Sequence, residues 1–462
     1  MNHAVPPEYT SKLKLLEDRA AYRPYSQIKR ALDRELERPM SDVFDHFNHK
    51  PVAAASLAQV HEATLKDTGE RVAVKVQYPG LEALVRGDLA SIKFLSWMLS
   101  WVFPYFKMDW VVEQFRRNLE KELDFELEAQ SALRTQKFFK DDPRVFVPDV
   151  YNDTSTKKVL TMEYIDGFRV DDLDALHDYL VDPHAVAQTV VDAFAQMIYV
   201  NGFVHCDPHA GNLMVRPGPG GAFELYLLDH GLYRQLDDDF RQSYCKLWKG
   251  LVLRRTKDVD EACEELGAPG FANVFSVFLL NRSWSIAKRL GTDLRVKMGR
   301  DELRRLRSDL RDGGLRSQAD VNEFVERIPD DLLLVFKMTS LVRNVNKALG
   351  ATVNRFKVNA RYAVRGLRHV NNFSAESSGG ADDTKSVIVA GTHSERLHPF
   401  SALAAVTDWF GLLIDRVCIE LQFLVLDVAL LAVKWWFGSS VPSVRSDQKA
   451  NLDASESAGL IG

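Results

Sequence analysis

The segment His205-Cys206-Asp207-Pro208-His209-Ala210-Gly211-Asn212 places an aspartate five positions before an asparagine, and a strand-like run from Glu224 to Leu228 then ends in Asp229-His230-Gly231. Three oxygen-bearing side chains so spaced suit a metal–phosphate centre. Phosphoryl transfer needs one Asp to orient the nucleophile, and an Asn with a second Asp to hold Mg²⁺ against the phosphates. Asp207 fits the first role, Asn212 and Asp229 the second. The turn at Arg216 to Gly221 makes a hairpin that returns Asp229 beside the loop. Asp, Asn and Gly also populate ordinary turns, and Asp-His-Gly alone means nothing; the two motifs together point to chemistry. His205 and His209 read as braces of the loop, because no third ligand is spaced for zinc.

A second element is Val72-Ala73-Val74-Lys75. A lysine within an apolar strand is costly unless its ammonium is paired. In phosphoryl-transfer sites of the kinase kind such a lysine meets the α- and β-phosphates and is held by a helix glutamate. The acidic run Glu122-Leu123-Asp124-Phe125-Glu126-Leu127-Glu128 offers that partner. Asp124 and Glu128 are four apart and share a helix face. Glu122 and Glu128 are six apart, about 240° around a regular helix, so one straight helix cannot aim both at one point. Glu128 is the favoured partner of Lys75, and a role for Glu122 requires a bend. Glu126 belongs to a solvated face.

These residues need elements to position them. Leu57 to Ala63, the turn Lys66-Asp67-Thr68-Gly69 and Arg71 to Val76 read as strand, hairpin turn and strand. A long helical region spans Trp110 to Phe139. Val145 to Val150 and Lys158 to Tyr164 are strand-like, helices continue to about Asn201, and the pattern from Asp237 to Leu367 is helical. The 462 residues are 46% hydrophobic and 27% charged, which excludes disorder throughout. Lys and Arg number 59 against 64 Asp and Glu, a net charge of −5 that argues against nucleic acid as the main partner. Four cysteines without a Cys-x-x-Cys pair give neither a disulfide framework nor a thiolate zinc site. Met1 to Arg30 mixes acids with lysines and has no apolar core, unlike a secretory signal or transit peptide.

Leu403 to Phe437 is strongly apolar but interrupted by Asp415, Arg416, Glu420, Asp427 and Lys434. Four of these, Arg416 to Lys434, fall within about 40° on a helix, a narrow polar stripe opposite a broad apolar face. Trp435-Trp436-Phe437 closes the stretch with interface-favouring aromatics. An amphipathic helix against a membrane fits this pattern. A helix buried on the rest of the protein and a true span are the alternatives.

The motifs resemble those of the UbiB/ADCK family of atypical, protein-kinase-like proteins. Ala53-Ala54-Ala55-Ser56 stands where an ordinary protein kinase has its glycine-rich loop, and Val-Ala-Val-Lys, Glu-Leu-Asp and His-Cys-Asp-Pro-His-Ala-Gly-Asn follow in order. Asp-His-Gly in place of Asp-Phe-Gly is most similar to the mitochondrial branch, aarF domain-containing kinase one. The resemblance implies an α+β, two-lobed protein-kinase-like fold. Its segments would be an N-terminal helical extension over 1–48, an N-lobe over 49–165 and a C-lobe over 166–370. A flexible linker over 371–400, a membrane-associating helical segment over 401–438 and a disordered tail over 439–462 would follow.

The resemblance further implies ATP or ADP with Mg²⁺ as cofactors. Lys75 would be the nucleotide lysine with Glu128 its helix partner, Asp207 the catalytic-loop Asp, and Asn212 and Asp229 the Mg²⁺ ligands. Ala53 to Ser56 would lie over the phosphates, and Glu163, Tyr164 and Ile165 would be the hinge that meets adenine. Alanine carries a Cβ and resists positive φ, so this lid is stiffer than a glycine loop. Glu122 and Asp124 resemble a regulatory Glu-x-Asp pair that faces a Lys-x-Gly-Gln motif in the family. No Lys-x-Gly-Gln occurs in this sequence, and Ala210 replaces a usual proline. The expectation is a chain shortened at its N-terminus, which would also remove a mitochondrial presequence. Implied partners are a membrane surface and a lipid or quinone at the mitochondrial inner membrane. A nucleotide-dependent scaffold without turnover and a small-molecule kinase of the aminoglycoside or choline type are the rival functions.

Overall fold

The computed structural model describes residues 22–102, 109–269, 329–350 and 353–368, with isolated positions between 272 and 279. The expectations for 1–21, the linker over 371–400, the apolar segment over 401–438 and the tail over 439–462 lie outside the described residues. What is described has two lobes, each with its own sheet and core.

In the N-terminal lobe, α1 (Tyr25–Glu35) and the short α2 (Met40–Val43) lead into β1 (Phe44–Phe47). β2 (Ala53–Ala54), β3 (Ala58–Leu65) and β4 (Arg71–Gln77) follow, then α3 (Leu81–Val102), α4 (Asp109–Glu122) and α5 (Phe125–Phe139). β6 (Val159–Glu163) completes an antiparallel sheet in the order β1-β3-β4-β6, with β2 on β3. β5 (Val145–Phe146) runs parallel to a strand of the other lobe instead. β1, in turn, lies within the segment read as an extension, yet it is a strand of this sheet. Sheet pairing thus crosses the sequence-drawn boundaries at both points.

Strand alternation sorts β4 into two faces. Val72, Val74 and Val76 are fully buried and pack with Ile28 and Leu32 of α1 and with Met40, Val43 and Phe44. Burying each such side chain is worth about 1.5–3 kcal/mol. Arg23 and Gln59 add two hydrogen bonds between the approach to α1 and β3. Lys75 and Gln77 point the other way, toward α5, where Ala58, Phe125, Ala129 and Leu160 form a small core.

The larger C-terminal core gathers α7 (Pro183–Ala195) and its π-helical continuation Gln196–Asn201 with α8 (Asp238–Leu253), α9 (Thr256–Glu265), α10 (Asp330–Ala348) and α11 (Arg355–Leu367). The shorter α6 (Leu173–Asp178) precedes them. Gly202, at φ +64, ends the π segment. Arg241 is fully buried and donates to the Tyr199 and Gly366 carbonyls, tying α8 to the π segment and α11. β9 (Leu213–Pro217) and β10 (Phe223–Leu227) form the hairpin legible in the sequence, flanked by β5 and β7 (Phe168–Arg169). β8 (Phe203–His205) pairs with β11 (Tyr233–Gln235). The two ladders bracket the Asp207 and Asp229 loops, and Leu228 N–H donates to Asn212 O at 2.8 Å to close the loops on each other.

Candidate functional site

Lys75 meets Glu128 across the N-lobe. Its Nζ lies 2.7 and 2.8 Å from the two carboxylate oxygens and 3.4 Å from Asp229 Oδ1. Glu128 is 2% exposed, so this is a buried pair rather than a surface one. Burial alone would depress the Lys75 ammonium, but the charges of Asp229 and Glu128 outweigh it and hold the lysine protonated, above its ordinary value. Burial pushes the Glu128 carboxyl up to about 6, against the pull of Lys75. The charge of Lys75 holds Asp229 down at about 2. At neutral pH the site therefore carries one ammonium between two carboxylates.

The helix that supplies Glu128 does not run straight from Trp110 to Phe139. It ends at Glu122 and restarts at Phe125. Asp124 caps the restart, its side chain accepting from the Glu126 and Leu127 amides, and pairs with Lys157 at 3.5 Å. Gln77, two residues beyond Lys75 on the same strand face, donates to Leu123 O at 3.1 Å. The lysine strand thus grips both the break and the helix that follows it. The bend allows Glu122 and Glu128 to line one cavity of about 280 Å³, together with Lys75, Asp207, Asn212 and Asp229. Burial raises the Glu122 carboxyl above its usual range, and the charges of Asp229 and Asp207 push the same way. Asp124 stands apart from this cavity and works as a cap.

Below the lysine the two loops are braced by imidazoles. His205 Nδ1 accepts from Asp207 N–H at 3.2 Å, and its other nitrogen lies 3.3 Å from Leu228 O. His230 Nε2 lies 2.9 Å from Leu227 O, so that nitrogen carries the proton and Nδ1 accepts from the Tyr233 hydroxyl at 2.9 Å. Burial lowers both histidines, His230 to about 3, so both are neutral. His209 Nδ1 accepts from Gly211 N–H. Asn212 Nδ2 donates to Asp207 O at 3.0 Å, which leaves its amide oxygen available to the cavity. Asp229 adopts φ +55, a left-handed conformation that Asp tolerates better than most residues.

The alanine-rich segment divides. Ala53 and Ala54 belong to β2 and pair with Val60 and Gln59, away from the cavity lining, whereas Ala55 and Ser56 line it. Ala55 N–H donates to Ala58 O, and Ala55 O accepts from the Tyr78 hydroxyl at 3.0 Å, so both backbone groups at the turn are occupied. Glu163, Tyr164 and Ile165 lie at the end of β6 outside the cavity lining. There Glu163 pairs with Arg216 at 3.0 Å, the Arg71 guanidinium covers the Tyr164 ring at 4.5 Å, and Ile165 is buried.

Among the described residues no cluster of three His, Cys, Asp or Glu side chains could hold a metal by itself. Of the carboxylates that line the cavity, Glu128 is taken up by Lys75, and the ligand pair that the motifs mark is the Asp229 carboxylate with the Asn212 amide oxygen. That sparse oxygen set fits Mg²⁺, which keeps water and takes substrate phosphates rather than a full protein cage.

Two residues the sequence motifs did not mark belong here. Lys337 of α10 places Nζ 3.2 Å from Asp207 Oδ1. Tyr78 ties down the lid. Neither carries a signal in sequence: a lysine in an amphipathic helix and a tyrosine after a strand are both ordinary.

Residues 15–263 match the ABC1 atypical kinase-like domain. Over 380 residues the chain is 33% identical to AarF domain-containing protein kinase 1 of Xenopus laevis, an alignment covering 82% of this chain and 72% of that protein. A Dictyostelium discoideum protein named "Probable serine/threonine-protein kinase abkD" is 35% identical over 389 residues, 84% of this chain. This chain spans only 54% of the length of that relative. Among solved structures, the complex of Rv3197 with erythromycin from Mycobacterium tuberculosis superposes with a TM-score of 0.52 at 24% identity, covering 76% of this chain and 85% of that one. At that identity the likeness is one of fold, and the fold is two-lobed and kinase-like. The chain belongs to the ABC1 atypical kinase-like family, the UbiB/ADCK proteins.

Proposed function

We propose that this protein binds an adenine nucleotide with Mg²⁺ and acts as an atypical kinase or ATPase. The observation that carries the reading is the convergence of Lys75, Glu128, Asp207, Asn212 and Asp229 on one cavity. Lys75, oriented by Glu128, supplies positive charge for the phosphates. Asp207 is placed to orient the attacking group, and Asn212 and Asp229 are the ligands for Mg²⁺, which offsets phosphate charge when bound. The physiological setting we propose is lipid or coenzyme Q homeostasis at a mitochondrial membrane, drawn from the resemblance to the AarF domain-containing kinases. Exposed Ile92, Phe94, Leu95, Trp97 and Met98 on α3 supply an apolar surface of the kind that meets lipid. No described helix is long and apolar enough to cross a membrane.

The test is thermal stabilisation by ADP and ATP, with and without Mg²⁺, in wild type and Asp229→Ala. A Mg²⁺-dependent shift lost in the variant supports the reading; no shift with either nucleotide in folded protein sinks it. One observation favours a second reading, a nucleotide-dependent scaffold: both backbone groups of Ala55 are tied down, so the lid is poorly suited to wrapping phosphates. Turnover separates the two. Hydrolysis or transfer abolished by Asp207→Asn belongs to an enzyme, whereas nucleotide binding without turnover belongs to a scaffold.

A further inference from the structure

The loop that bears Asp207 is short of positive charge. Between Asp207 and Asn212 it holds Pro208, His209, Ala210 and Gly211, with no lysine or arginine, and the His209 ring accepts from the Gly211 amide at Nδ1 and lies 3.8 Å from Asp207 Oδ2 at Nε2. Lys75 is engaged across the cavity by Glu128 and Asp229. A terminal phosphate brought to Asp207 would therefore meet the carboxylates of Asp207, Asp229 and Glu122 with no lysine or arginine on its own loop.

Lys337 fills that gap from far along the chain. Its ammonium lies 3.2 Å from Asp207 Oδ1, and its charge also reaches Glu122 and Cys206. The helix that carries it is firmly set. Leu332, Val335, Met338 and Val342 of α10 are buried in the C-terminal core. Asp331 on the same helix pairs with Arg234 of β11, the strand hydrogen-bonded to β8 just before the Asp207 loop. Lys337 itself is half exposed and is not needed for that packing. A lysine ammonium has three donors. It can keep Asp207 on one and offer the others to phosphate oxygens.

We infer that Lys337 is a phosphate-binding residue of this site, contacting the terminal phosphate of ATP beside Asp207 and so favouring ATP over ADP. The inference rests on the nucleotide reading above. The test measures affinities of a non-hydrolysable ATP analogue and of ADP, each with Mg²⁺, for wild type, Lys337→Met, Lys337→Gln and Lys337→Arg, by calorimetry, with melting curves as the check on folding. Loss of a charge-assisted contact predicts about tenfold or more weaker binding of the ATP analogue to the two neutral variants. ADP binding should change far less, and Lys337→Arg should restore most of the preference. An unchanged ATP-over-ADP ratio in folded Lys337→Met and Lys337→Gln, with wild type binding both nucleotides, overturns this inference alone. Wild-type protein that binds neither nucleotide overturns both it and the reading beneath it.

Discussion

Glu122 and Glu128 line the same cavity although they stand six positions apart, because one helix ends at Glu122 and the next, capped by Asp124, starts at Phe125. On an unbroken helix they would point about 120° apart. The position of the carboxylates thus depends on a cap outside the cavity.

Asp124→Ala removes that cap and should cost about 1 kcal/mol of stability, with Asp124→Asn keeping most of it. Urea denaturation measures the difference. Nucleotide affinity should fall in the alanine variant, because the first turn that carries Glu128 loses its anchor. Equal stability of the alanine and asparagine variants would show that the cap is not what holds the bend.

Removing one partner of the buried Lys75–Glu128 pair should be worse than removing both. Breaking such a pair costs roughly 3–5 kcal/mol, while an apolar replacement of both is often close to neutral. Glu128→Leu should therefore be rescued in part by adding Lys75→Met. The rescue should be incomplete, since Asp229 then loses its own cation. A double variant whose loss equals the sum of the single losses would contradict this.

Asp229 gives a pH dependence of known sign. Its carboxyl is held at about 2, below the ordinary 3.8, first by the charge of Lys75. Its contribution to stability is therefore present above 3.8 and lost as pH falls toward 2. The gap in urea midpoint between wild type and Asp229→Asn should narrow as the pH is lowered through that window. Asparagine tolerates the left-handed backbone at this position, so the comparison isolates charge, whereas Asp229→Ala adds strain.

Tyr78→Phe deletes the hydroxyl that holds Ala55 O. The cost should be about 1 kcal/mol, typical of one hydrogen bond. The freed lid should admit nucleotide faster, which stopped-flow binding would detect as a higher association rate. An unchanged rate would mean that the Ala55–Ala58 turn alone sets the lid.

Gly366→Ala tests the C-terminal core. An added Cβ would collide with Tyr199 O and lie 2.9 Å from Cys245 Sγ, contacts that force α11 away from the π segment. Overpacking of this kind typically costs 1–3 kcal/mol or more. Thermal melting should drop, while the nucleotide affinity of the folded fraction stays near wild type.

Much of the kinase-like plan was readable from local signals. The Asp207–Asn212 spacing, the hairpin turn before Asp229 and the lysine among valines are each short-range patterns with a chemical reason. The break at Asp124 was also written locally, as an Asp followed by two first-turn glutamates, but the flanking apolar residues continue the helical period across it and hide it. Lys337 could not be read at all. Its role comes from α10 packing beside the Asp207 loop, a contact between segments far apart in sequence that no motif encodes. The lid was legible in composition but not in its tether, because the Tyr78 hydroxyl reaches Ala55 only once β3 and β4 have paired.

The backing of the N-lobe sheet by α1 has a mechanical consequence. β4 is clamped by the N-terminal helix on one face and by the α5 side on the other, so the strand that carries Lys75 has no slack in which to bend. α5 also reaches the C-terminal core through Ala132 and Phe139, and beyond β6 the missing side chain of Gly167 lets the chain press against the Val215 carbonyl. The lysine is thus carried on a rail bolted along both of its faces.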